Sequence, residues 1–247
     1  MFSPGERKSL RQTLLTTARS DHRISGAALT GSAALDREDT WSDIDLAFGV
    51  TDDVDISQVT ADWTGLMYED HGAVHHTDVA SGAVLYRVFL LANTLQVDLA
   101  FSPARSFGAI GPSFRLVFGA SQELPAVSWP SSNELIGVGW LHALHARSSI
   151  ARNRVWQAEY MISRLRYQAL ALACIRHGVS PNQGRGVDSL PTEITLGFVE
   201  SLVCSLDEAE LKRAFRSSVE AIINEVDFVD VELANRLAKP LRELTEM

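Results

Sequence analysis

No stretch of this chain is long and apolar enough to span a bilayer, so a helical membrane anchor is not expected. The first residues, MFSPGERKSL, lack the apolar core of a secretory signal, which predicts a cytoplasmic protein. Cysteine is scarce. Cys174 and Cys204 lie far apart in helix-like sequence, without the ligand spacing of a zinc site or the density of a disulfide scaffold. They read as two buried free thiols. Internal repeats and low-complexity linkers are also missing. Basic residues are in deficit, with Lys+Arg 22 against Asp+Glu 31 and a formal net charge of -9. That balance disfavours a protein that coats nucleic acid. What remains is a chain of 247 residues, 46% hydrophobic and 21% charged, able to bury a core. It is neither a disordered tail nor a coiled coil, and its length suits one large domain or two smaller ones.

The charge is uneven. Residues 36 to 78 hold twelve acids and one base, Arg37, for a net -11. Residues 141 to 166 hold five arginines (147, 152, 154, 164 and 166) and one acid, Glu159, for +4. Such asymmetry marks a functional division within a chain.

Hydrophobic periodicity predicts a helix over 6–20, a short strand running into Gly31, a strand over 43–50 and an amphipathic helix over 56–68. VLYRVFLLANTLQVDLAF reads as two strands around Ala92-Asn93-Thr94. After Pro125 and Pro130 the texture becomes helical, with breaks near Gly178 to Pro181 and at Pro191. The expected organisation is an α+β domain over 1–125, with a mixed sheet and flanking helices, and a helical domain over 126–247.

The chemistry concentrates in LTGSAALDREDTWSDIDLAF. Asp43 and Asp45 are two apart on a strand, so they share a face about 6.6 Å apart, while Ile44 and Leu46 turn to the core. Two carboxylates this close repel unless a cation lies between them, and hard oxygen ligands on a rigid strand suit Mg²⁺. Asp98 is embedded in the apolar run LQVDLAF, facing away from Val97 and Leu99. A charge there is costly unless paired or metal-bound. Three carboxylates on neighbouring strands can hold two metals at the spacing of in-line phosphoryl displacement. Gly31 lets the backbone approach a phosphate closely, Ser32 adds a hydroxyl donor, and SAALD can open a helix with N–H groups aimed at an anion.

This order of features resembles the nucleotidyltransferase superfamily with a polymerase β-like catalytic core: an apolar strand, Gly-Ser, a gap of about ten residues, Asp-x-Asp, and a later strand with a third acid. The match covers residues 28 to 101. The resemblance implies that Gly31 and Ser32 bind nucleotide phosphates and that Asp43, Asp45 and Asp98 are catalytic metal ligands. The helical domain after the catalytic one looks like the antibiotic-modifying branch, such as aminoglycoside and lincosamide nucleotidyltransferases. The implied reaction moves a nucleoside monophosphate, AMP from ATP, to a hydroxyl of an aminoglycoside-type acceptor with Mg²⁺ as cofactor, releasing pyrophosphate.

Residues 150 to 176 read as one long helix on which Arg152, Trp156, Glu159, Ser163 and Arg166 share a face. Trp156 would stack on a sugar or base. Glu159 would bind a cationic group or act as base, and Arg152 and Arg166 would hold acceptor and triphosphate. The competing reading is a salt-bridged domain interface with Trp156 in the core. Asp98 and Glu159 both stand as general-base candidates. Trp41, beside the metal motif, either packs the loop or stacks a base. His75 and His76 point to opposite faces of a strand, which argues against a metal pair, and Gly184-Arg185-Gly186 reads as a plain loop. Acceptors other than a small molecule, namely RNA or protein, and a catalytically inactive binding module complete the alternatives. Membrane partners are not expected, nucleic acid is disfavoured, and nothing in the residues sets an oligomeric state.

Overall fold

The computed structural model describes residues 1–126 and 128–246. The chain divides into two compact units, Met1–Val127 and Ser128–Met247.

The first unit is α+β. Helix α1 (Pro4–Ser20) starts at a reciprocal cap: the Glu6 N–H donates to the Ser3 hydroxyl, and the Ser3 N–H donates to the Glu6 carboxylate. Strand β1 (Ile24–Thr30) runs into a single helical turn, α2 (Gly31–Ala34), and a loop then leads to β2 (Ile44–Val50). Helix α3 (Ile56–Glu69), capped by Asp55, precedes β3 (Ala73–Ser81), β4 (Val84–Leu91) and β5 (Gln96–Pro103). Short β6 (Gly108–Ala109), β7 (Phe114–Gly119) and short β8 (Gln122–Glu123) complete the unit.

Six strands form a mixed sheet in the order β3-β4-β5-β2-β1-β7. The central pair, β2 and β5, is parallel; the other neighbours are antiparallel. Ile44, Leu46, Phe48, Val97, Leu99 and Phe101 are buried in one core cluster with Leu14 and Leu15 of α1 and Val59, Trp63 and Met67 of α3. Burying each large apolar side chain contributes roughly 1.5–3 kcal/mol. That fixes which face of β2 and β5 is apolar, because a slip of one residue would exchange the faces. The carboxylates of Asp45 and Asp98 therefore fall on the face away from α1 and α3.

Two parts of this unit are weak in the sequence. β7 pairs with β1 through a register shift between Ala27 and Ala28, and most of its residues are exposed or half-buried. An irregular edge strand carries little periodicity. The turn between β4 and β5 lacks the Asn-Gly that a two-residue hairpin would favour; Thr94 takes positive φ (72°) there, and Asn93 Oδ1 accepts from the Leu95 N–H.

The second unit is helical: α4 (Ser132–Ala151), α5 (Val155–Arg176), a short α6 (Thr192–Leu196), α7 (Glu208–Val229) and α8 (Val231–Glu243). Its core joins Ala143, Ala146, Ile162, Leu165, Leu172, Phe215, Val219 and Ile222. Gly139 of α4 belongs to a close helix contact, since a Cβ there would collide with Ile222 of α7.

Two expectations fail in this unit. The single helix over 150–176 is broken. Ala151 ends α4, and Asn153 takes a left-handed backbone (φ 53°) before Val155 opens α5. Asn tolerates that conformation better than most residues, and apolar periodicity on both sides hides the break. Arg152 is consequently the C-cap of α4 and does not share a helix face with Trp156. The second failure is Cys204. It is exposed in the loop before α7, whereas Cys174 is buried as expected. Among the described residues, no helix is long and apolar enough to cross a membrane.

Candidate active site

Asp43, Asp45 and Asp98 converge. Each offers a carboxylate oxygen, and the three oxygens lie within 4.8 Å of one another. The cause is backbone register. Asp45 and Asp98 are directly paired across the parallel β2–β5 ladder, where neighbouring strands are about 4.8 Å apart. Asp43 precedes β2 by one residue and shares the parity of Asp45. All three are half-buried. Gln96, at the start of β5, adds a donor missed in the sequence reading. Its Nε2 donates to Asp98 Oδ1 (2.9 Å) and lies 3.3 Å from Asp43 Oδ2. The signal was its place two residues before Asp98 on the same strand face.

Gly31 and Ser32 belong to the same cluster. Gly31 has φ 57°, and a Cβ on it would overlap the Asp45 carboxylate. Glycine is therefore required twice, for the left-handed turn and for the close approach to Asp45. The Ser32 Oγ is buried and makes no hydrogen bond among the described residues. Buried hydroxyls are nearly always satisfied, so this oxygen retains its hydrogen-bonding capacity. The expected helix opened by SAALD is only the single turn α2.

The loop between α2 and β2 is strongly tethered. Arg115 of β7 donates to Asp36 and to the Ala33 carbonyl. The Asp39 carboxylate accepts from the Trp41 N–H and the Ser42 hydroxyl, and these bonds hold it below the usual carboxylate range. Trp41 itself is 77% exposed, so it does not pack the loop.

The acidic segment is less of a field source than its count suggests. Arginines elsewhere in the unit pair with it: Arg7 and Arg11 with Glu38, Arg23 with Asp62, Arg87 with Asp78, Arg105 with Asp52 and Arg115 with Asp36. Most of these partners are remote in sequence.

A divalent ion fits the donor set: three carboxylates on one face, all hard oxygen, with an unmet hydroxyl on the adjoining turn. His75 and His76 take no part; His76 stacks near Tyr68 and Phe89, and its Nδ1 is 3.0 Å from the Tyr68 hydroxyl.

The remaining candidates lie in the second unit. On α5, Trp156 is 74% exposed, which removes the reading of it as a core residue. Glu159 accepts a 2.6 Å hydrogen bond from the Ser163 hydroxyl. Arg166 donates to the Ser201 carbonyl (2.9 Å) and to Ser163 Oγ (3.1 Å). Burial lowers its guanidinium from the usual range, and the Glu159 charge acts in the opposite sense. Arg152 and Arg154 are exposed at the α4–α5 break. Tyr160, one turn after Trp156 and 56% exposed, is a further aromatic the sequence reading passed over.

No protein-family model and no curated protein sequence matches the chain. Solved structures with a similar course include an aminoglycoside 6-adenyltransferase from Bacillus subtilis, at 12% identity over 95% of this chain and 96% of that one, TM-score 0.42. Another is the GLD-2/RNP-8 complex, at 14% identity over 90% of this chain and 68% of that one, TM-score 0.32. At these scores the likeness assigns this chain no activity.

Proposed function

We propose that the chain is a metal-dependent nucleotidyltransferase that moves a nucleoside monophosphate, AMP from ATP, onto a hydroxyl of a small acceptor of the aminoglycoside kind. The observation that carries this reading is the convergence of Asp43, Asp45 and Asp98 beside the Gly31-Ser32 turn. The order of these residues along the chain also resembles the polymerase β-like superfamily.

Asp43, Asp45 and Asp98 would hold one or two Mg²⁺ ions. Bound there, the metal would lower the pKa of the attacking hydroxyl and neutralise the departing pyrophosphate. Gly31 would let the backbone close on the triphosphate, and Ser32 Oγ would donate to one of its oxygens. Asp98 would accept the proton of the acceptor hydroxyl at a carboxylate oxygen, with Glu159 as the other candidate base. The first unit would be the catalytic domain; on the second, Trp156, Glu159 and Arg152 would bind acceptor and Arg166 would hold phosphate. Such a site works by positioning and electrostatics.

A second reading keeps the chemistry and changes the acceptor to the end of a single-stranded RNA. The exposed pair Trp156 and Tyr160, with Arg152 and Arg154 exposed nearby in sequence, favours it, since stacking aromatics with bases is how single strands are held. Labelled ATP offered to an aminoglycoside panel and to short RNAs separates the two. The first reading expects label on a drug and stoichiometric pyrophosphate, both abolished by Asp43→Asn. Label on RNA alone selects the second reading. No pyrophosphate from any triphosphate over the whole panel overturns both and leaves a binding module.

A further inference from the structure

Asp45 and Asp98 sit inside paired strands. Asp43 does not: it follows the loop that begins at Leu35, and its peptide nitrogen belongs to the bond from Ser42. A ligand carried on a loose loop must be ordered at each binding event, so something has to hold this peptide.

Arg7 of α1 reaches it. Its residue surface is 5% exposed, and its guanidinium turns to backbone. Arg7 Nη1 donates to the Asp39 carbonyl at 2.6 Å and to the Ser42 carbonyl at 2.9 Å, and Nε lies 3.2 Å from Glu38 Oε1. The two carbonyls belong to a closed turn. The Asp39 N–H donates to Ser42 Oγ at 2.9 Å, and Ser42 Oγ donates to Asp39 Oδ1 at 3.0 Å. A guanidinium out of water is costly unless it is paired and hydrogen-bonded; this one spends its Nη1 on the two residues that close the turn before Asp43, while its buried Nε faces Glu38 without a hydrogen bond among the described residues.

We propose that Arg7 is a positioning residue for the metal site: by holding the Asp39 and Ser42 carbonyls it fixes the peptide that enters Asp43, and so aims that carboxylate at Asp45 and Asp98. This rests on the metal reading above. Arg11 supplies the control, because it shares Glu38 with Arg7 at 2.6 Å while its hydrogen bond goes to that carboxylate and to neither carbonyl.

The test is Mn²⁺ titration of the full chain by electron paramagnetic resonance, with thermal melts recorded without metal. Arg7→Met keeps the stem and removes the donors. Its Mn²⁺ Kd is expected to rise about tenfold, as for other groups that orient metal ligands. Arg7→Lys restores charge without the fork and should recover part of that loss. Arg11→Ala should bind as the wild type does. If Arg7→Met does not fold, Arg7→Lys decides, with a raised Kd expected. A folded Arg7→Met, or in its place Arg7→Lys, with wild-type Kd overturns the proposal, even if its melting point falls. So does an equal loss in Arg11→Ala, which would route the effect through Glu38. A wild-type chain that binds no Mn²⁺ instead overturns the metal reading itself, and the two failures are thereby distinct.

Discussion

In the first unit, Asp45 and Asp98 are placed by a parallel ladder, and Asp43 by the tethered turn that enters β2 one residue later. On α5 of the second unit, Trp156, Glu159 and Arg166 are placed by helical spacing alone, and two of them are already engaged: Glu159 with Ser163, and Arg166 with Ser163 and Ser201. The contrast separates two kinds of candidate. Backbone register can force like charges together and keep them so, because the apolar face of the same strands holds the register. A helix face only brings residues to one side, where they are free to satisfy each other. The cluster on the sheet is therefore the stronger site, and α5 the adjustable one.

Substitutions can break that contrast, beginning with the largest effect. Asp45→Asn or Asp98→Asn should cut nucleotidyl transfer on the order of 10³-fold, since metal stabilisation of developing charge is worth several kcal/mol. Circular dichroism should stay unchanged, because both side chains lie off the apolar face. Next comes Gly31→Ala. It places a Cβ against the Asp45 carboxylate and forces a side chain into left-handed backbone. Stability should fall by about 1–2 kcal/mol, and kcat by on the order of 10²-fold as Asp45 is displaced. A normal kcat in this variant would mean that Asp45 need not sit where it does.

Effects in the second unit should be smaller and differently shaped. Trp156→Ala removes a ring that is mostly in solvent. Stability should hold within about 0.5 kcal/mol, while KM for the acceptor rises about tenfold, the low end of stacking energies; kcat should not move. If KM is also unchanged, α5 is not an acceptor surface. The smallest expected effect is a pH dependence. Burial first, then the charges of Arg164 and His145, lowers the His142 pKa from 6.5. The folded chain thus favours neutral His142. Its contribution to stability is complete above pH 6.5 and is lost as pH falls through the depressed value. The melting point should decline from pH 7 to pH 5 more steeply in the wild type than in His142→Gln.

Much of the first unit was legible because its signals are local. The alternation of Ile44 and Leu46 with Asp43 and Asp45, and of Val97 and Leu99 with Asp98, specifies a face without knowledge of any partner. Gly31-Ser32 was legible as a turn, although the contact of Gly31 with Asp45 needs the folded chain. The misses share a physical origin. β7 is a shifted edge strand with little periodicity. The break at Asn153 is one backbone conformation between two good helical patterns. The net charge of residues 36–78 does not show its own neutralisation, because the arginines that pair with the segment come mostly from elsewhere in the chain, beyond the reach of a window of sequence. Arg7 and Gln96 escaped for the same reason: their roles are set by what folds against them.

The central claim, that register builds a divalent-cation site from Asp43, Asp45 and Asp98, is open to direct inspection. Crystals grown with Mn²⁺ and a non-hydrolysable triphosphate would be measured for anomalous scattering. The account predicts a manganese peak between the three carboxylates, with triphosphate oxygens beside Ser32. Saturating Mn²⁺ with no peak there, or a peak elsewhere alone, would contradict it.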